Sequence, residues 1–158
     1  MEWMAAVEAC RPVPVRIMSW LEQRYAETGN GAYAIAGLQA AKARGRIEEP
    51  WLLAWLDWTD AAMSGALRRR RRGPNESLGD ALAKIMRLNK GKGKDPLEEA
   101  ILDIRDHRLY FAYEETLLAN GGREKDAVSA VASHHGLGVN NVTDIIARIA
   151  STRAPPLK

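Results

Sequence analysis

Gly136 divides two runs of apolar residues that share helical spacing, and this one break constrains the fold more than any other feature of the chain. Residues 128 to 149 read VSAVASHHGLGVNNVTDIIARI. Val131 and Ala132 lie together before Gly136-Leu137-Gly138, and Val142, Ile145, Ile146 and Ile149 recur after it at the interval of one helix face. Two short helices joined by a tight turn satisfy this pattern. Ala132 is small enough to let the second helix cross close to the first. Gly136 falls where the first helix must stop, a position that often takes a left-handed backbone and so favours glycine. Leu137 then turns inward from the turn.

The stretch resembles the helix-turn-helix of phage and bacterial repressors. The resemblance is confined to residues 128 to 149 and rests on Ala132, Gly136 and the inward apolar positions. It departs from the usual pattern at His135, which stands where an apolar residue is expected. The resemblance implies an all-α, multi-helix bundle with a C-terminal helix-turn-helix whose second helix enters a DNA major groove. A helix starting at Val139 directs Asn140, Asn141, Thr143, Asp144, Ala147 and Arg148 outward. Asparagine can bond adenine twice, threonine can touch a thymine methyl, and Asp144 can accept from a cytosine amino group. Asn140, Asn141, Thr143, Asp144 and Arg148 are therefore the expected base contacts. Proteins of this kind commonly act as two-fold dimers on inverted repeats, so a homodimer on double-stranded DNA is expected.

One arginine is a poor electrostatic anchor for such a helix, and the charge distribution supplies another. The net charge of +3 hides a partition: residues 1–67 carry −2, residues 68–94 carry +8 and residues 95–158 carry −3. The positive block opens with five arginines, Arg68, Arg69, Arg70, Arg71 and Arg72, and closes with Lys90, Lys92 and Lys94 between glycines. A segment of this kind suits a polyanion, because each neutralised phosphate releases a condensed counterion. These eight residues are the expected phosphate contacts. The plainer alternatives are a solvated helix end, where arginine also favours the helix dipole, or an acidic protein partner.

The remaining pattern is helical nearly throughout, with no sustained β-branched alternation. Helices are expected at Val13–Thr28, Ala32–Ala43, Pro50–Arg71, Leu78–Asn89, Pro96–Asn120, Arg123–His135 and Val139–Thr152. Pro50 and Pro96 suit first-turn positions, and Ser77 with Asp80 resembles a capping box with Asp in place of Glu. The expected organisation is a Trp-rich helical region at 1–72, a basic and Gly-containing segment with a short helix at 73–95, a long helix with the helix-turn-helix at 96–152, and a tail at 153–158. Trp51, Leu52, Trp55 and Trp58 share one helix face. They form either the core of an N-terminal bundle or an aromatic stripe for a partner. On the second reading Trp51, Trp55 and Trp58, with Ile104 and Phe111 of the long helix, are the partner or dimer contacts. A base-stacking platform is a third use of the same rings. The long helix carries Leu97, Ile101, Ile104, Phe111 and Leu118 on one side, with Asp103, Arg105, Asp106 and Arg108 on the others.

Catalysis finds little support. His134 and His135 have no Cys or carboxylate at ligand spacing within their helix, and Arg105 and Arg108 flank Asp103, Asp106 and His107 as surface pairs would. No phosphate loop, dinucleotide fingerprint or nucleophile elbow is present in the sequence. No enzyme activity, cofactor or metal is expected. The single Cys10 gives no internal disulfide framework, and MEWMAAVEAC lacks the basic and apolar regions of a signal peptide. A cytoplasmic protein without a membrane segment follows as the expectation. Two function classes remain: a DNA-binding regulator of phage, plasmid or bacterial origin (a phage DNA-packaging subunit would share its features), and a protein-interaction adaptor or inhibitor that holds a protein through the Trp-rich third.

Overall fold

The computed structural model describes residues 13–45, 47, 49–68, 77–88 and 95–153. They form seven helices and no strand: α1 Val13–Thr28, α2 Gly31–Ala43, α3 Pro50–Arg68, α4 Leu78–Ile85, α5 Pro96–Ala119, α6 Glu124–His135 and α7 Val139–Arg153. The fold is all-α. Two compact units emerge, residues 18–104 and residues 1–17 together with 105–158. The sequence pattern divides the chain at 72 and 95, whereas the packing divides it within α1 and α5.

In the unit of residues 18–104, Met18, Ala34, Ala41, Leu52 and Trp55 are buried together, with Tyr25, Leu38, Trp51, Leu56 and Met86 packed around them. The alanines and glycines of α2 explain how so many bulky rings fit. A Cβ on Gly37 would stand 2.8 Å from the Trp51 indole, so the ring lies directly on the helix backbone. Tyr25 covers the same indole at 5.8 Å between centroids. The tryptophan face thus serves mainly as core. Of the three expected partner contacts, Trp55 is buried, Trp51 half-buried and Trp58 exposed.

The connection between α1 and α2 is the crowded point of this unit. Gly29 is left-handed, at φ 64°, and the N–H of Gly31 donates to the Met86 carbonyl at 2.9 Å. A side chain on Gly31 would meet that carbonyl at 2.9 Å. Between them, buried Asn30 caps α2 by accepting from the Ala32 N–H, and its own amide donates to the Pro96 carbonyl. Further along, Asp103 accepts from both Tyr33 Oη at 2.8 Å and Arg24 Nε at 3.0 Å. Burial, helped by the bond to Asp103, pushes the Tyr33 hydroxyl up to about 12. Asp103 therefore ties α5 to α1 and α2 within this unit.

The short α4 opens with a reciprocal cap. Ser77 Oγ accepts from the Asp80 N–H at 3.1 Å, and the Asp80 carboxylate accepts from the Ser77 N–H at 3.0 Å, which satisfies two of the helix's orphan donors. It ends at Ile85, four residues before the periodicity does. Arg87 turns left-handed at φ 53°, and the Leu88 N–H then reaches back to the Ala83 carbonyl at 2.8 Å.

In the other unit, Leu109, Tyr110 and Phe111 of α5, Ala127, Val131 and Ala132 of α6, and Val142, Ile145 and Ile149 of α7 are buried. Arg16 of α1 is buried as well. Its guanidinium pairs with Glu114 and lies 4.7 Å from the Phe111 ring centroid. Ile104 and Phe111, expected as partner or dimer contacts, are interior residues of their units. Leu97, Ile101 and Leu118, set on the same side of the helix by the pattern, are the exposed ones.

Candidate nucleic-acid interface

The turn between α6 and α7 closes as the sequence requires. Gly136 has φ 64° and ψ 31°. Its N–H donates to the Ser133 carbonyl at 3.3 Å, and the Leu137 N–H donates to the Ala132 carbonyl at 2.9 Å. This pair of bonds is the Schellman closure, which satisfies two of the last carbonyls of α6. No atom lies within 4 Å of where a Gly136 side chain would begin, so the requirement for glycine is one of backbone conformation alone. Gly136→Val should therefore lower stability by roughly 1–3 kcal/mol. A thermal melt superimposing on that of the unaltered protein would show that the turn does not hold this conformation in solution.

The apolar positions mostly face inward: Val131, Ala132, Val142, Ile145 and Ile149 are buried, while Leu137 and Ile146 are half-buried. His135 is exposed, which explains why a polar residue is tolerated before the turn glycine. Its ring lies 5.0 Å from that of His134. Partial burial, aided by this neighbour, lowers the pKa of His135. No group of three His, Cys, Asp or Glu is placed to hold a metal ion among the described residues. Among the same residues, no helix is long and apolar enough to cross a membrane.

On α7, Asn140, Asn141, Thr143, Asp144, Ala147 and Arg148 are all exposed. Neither asparagine amide bonds another described residue, so both keep their donors and acceptors for a ligand. The Thr143 hydroxyl donates to the Val139 carbonyl at 2.9 Å, so it is engaged within its own helix. Arg148 is different. Its Nη2 donates to Asp106 of α5, whose other oxygen accepts from Arg105 Nε at 2.8 Å and Nη2 at 2.7 Å. A guanidinium tied to a neighbouring helix has less reach than a free one, although the Arg148 side chain is still 61% exposed.

Asp106 itself is buried, although its position between two arginines marks it as a surface residue in sequence. Helical periodicity gave no warning of this, because the partner that fixes it lies 42 residues away. Of the expected phosphate contacts, Arg68 is the last residue of α3, and Arg69, Arg70, Arg71, Arg72, Lys90, Lys92 and Lys94 lie outside the described residues. No protein-family model, curated protein or solved structure matches this chain.

Proposed function

We propose that the chain is a DNA-binding protein, a transcriptional regulator of phage, plasmid or bacterial origin. It reads base edges with α7 and holds phosphates with the basic residues 68–94. It acts in the cytoplasm as a two-fold homodimer, without cofactor or catalysis. The observation that carries this reading is the exposed, unbonded pair Asn140 and Asn141 in the first turn of α7, directly after the glycine-closed turn. This is the part of a recognition helix that enters the groove. Thr143 and Asp144 extend the same exposed surface. The division between charge for affinity and helix for sequence is the usual one, since phosphate contacts position a protein and base contacts specify its site.

The test is a mobility shift against genomic fragments, followed by the ratio of specific to non-specific affinity. Changing Asn140 and Asn141 together to Ala should lower that ratio by roughly 1–3 kcal/mol for a lost bidentate contact. Non-specific binding should hardly change, because no charge is removed. The rival role for Asn140 is to cap α7, in which case the melting temperature falls and the ratio holds.

One observation favours the adaptor reading: Trp58 stands exposed on α3, a large ring available to a protein partner. Salt separates the two readings. A DNA binder loses affinity steeply as salt rises, whereas a contact centred on Trp58 does not.

A further inference from the structure

We propose that Arg105 and Arg148 form a clamp for one backbone phosphodiester of duplex DNA, with the Asp106 carboxylate as their positioning residue. The proposal rests on the DNA-binding reading and adds to it a phosphate site outside the basic block. Asp106 is the only one of the three that is buried: its side chain is 9% exposed, against 52% for Arg105 and 61% for Arg148. Its two oxygens are divided between the arginines, Oδ1 accepting from Arg105 and Oδ2 from Arg148.

Asp106 alone against two guanidinium groups leaves one surplus positive charge, which the Asp144 carboxylate lining the same hollow offsets in the unaltered protein. Arg105 Nη1 and Arg148 Nε and Nη1 take no part in these bonds among the described residues. A phosphodiester presents two charged oxygens, and planar forks held in place lose less freedom on meeting them than mobile ones do. The two arginines line an open hollow of about 260 Å³ with Leu137, Asn141, Asp144 and Ile145. The hollow therefore adjoins the exposed face of α7 that carries the proposed base contacts. Asn141 adds an amide donor at its edge, and Asp144 is the one carboxylate that opposes an anion there.

Asp106 and Asp144 give the test its signs. Removing an acidic charge strengthens anion binding if charge is all that matters. Asp144→Asn, an exposed change, should tighten binding to duplexes of any sequence. Asp106→Asn removes the same charge but also the anchor, and should weaken it. Arg105→Ala and Arg148→Ala should each weaken all duplexes alike and reduce the slope of log affinity against log salt by about one. The second readout is the arginine Nε–H signals of the full-length protein in NMR, titrated with inorganic phosphate. Those of Arg105 and Arg148 should shift, and in Asp106→Asn they should respond less.

Unchanged slopes in both arginine variants overturn the clamp, even where the Asn140 and Asn141 effect upholds DNA binding. Tighter binding by Asp106→Asn overturns the positioning role. If the unaltered protein binds no duplex, the DNA-binding reading and this clamp for it fall together. Shifts confined to Arg105 and Arg148 would then uphold only the anion site, and their absence would remove that too.

Discussion

A protein in which Arg68 to Arg72 are all alanine should bind every duplex more weakly and with a much shallower dependence on salt. Each phosphate neutralised contributes about 0.9 to the salt slope, so losing five contacts flattens it by about 4.5. The fall in affinity between about 50 and 200 mM salt then shrinks by nearly three orders of magnitude, about 500-fold. Sequence preference should survive, because the change touches no residue of α7. Stability should survive as well, since the change removes five mutually repelling charges and alanine favours a helix. Fluorescence anisotropy across the salt range, beside a thermal melt, reads all three. An unchanged slope would exclude the arginine run from binding, and the net charge of +8 on residues 68–94 would then serve another purpose.

The largest effect on stability is expected at Arg16 and Glu114. The Arg16 side chain is 2% exposed and that of Glu114 23%, so the cation is the more deeply buried partner. Glu114→Gln leaves the guanidinium in the interior without this carboxylate, at a cost of about 3–5 kcal/mol. For a domain whose total stability is about 5–15 kcal/mol this approaches unfolding, and a drop of on the order of 10 °C in melting temperature is expected. Arg16→Met removes the charge but keeps an unbranched apolar stem over Phe111, and leaves a Glu114 side chain that is 23% exposed. It should cost less. The double variant should recover part of the loss, because an apolar replacement of a buried pair is often tolerated. Denaturant titrations of the two single variants and the double variant form the cycle. A Glu114→Gln protein within about 0.5 kcal/mol of the original would show that the pair is solvated.

Much of the fold was legible because its signals are local. Pro50 and Pro96 begin α3 and α5, Ser77 and Asp80 cap α4, and Gly136 ends α6 in a left-handed turn. Each is a choice made within four residues. The end of α4 was not legible, because Arg87 takes the left-handed conformation that glycine usually signals. The faces of α5 were misread for another reason. Helical spacing marks which residues share a side, but not what covers that side. Ile104 and Phe111 are covered by their own units, whereas Ile101 and Leu118 are exposed. The same limit applies to Asp106. Arg105 and Arg108 stand near it in sequence, and only the bond from Arg148 of α7 marks it as an interior anchor.

The turn at Asn30 and Gly31 bears on the lysines of the basic segment. Gly31 holds the Met86 carbonyl, and Asn30 holds that of Pro96. Met86 and Pro96, which bracket the nine residues that include Lys90, Lys92 and Lys94, are thus bonded to two adjacent residues. On the proposed DNA-binding reading, once one of these lysines meets a phosphate the others search a small volume and not the bulk solution. Lengthening the span dilutes that local concentration only slowly, because closure entropy grows with the logarithm of loop length. Cutting one tether, as Asn30→Ala would, releases an end and weakens the group while leaving every charge in place.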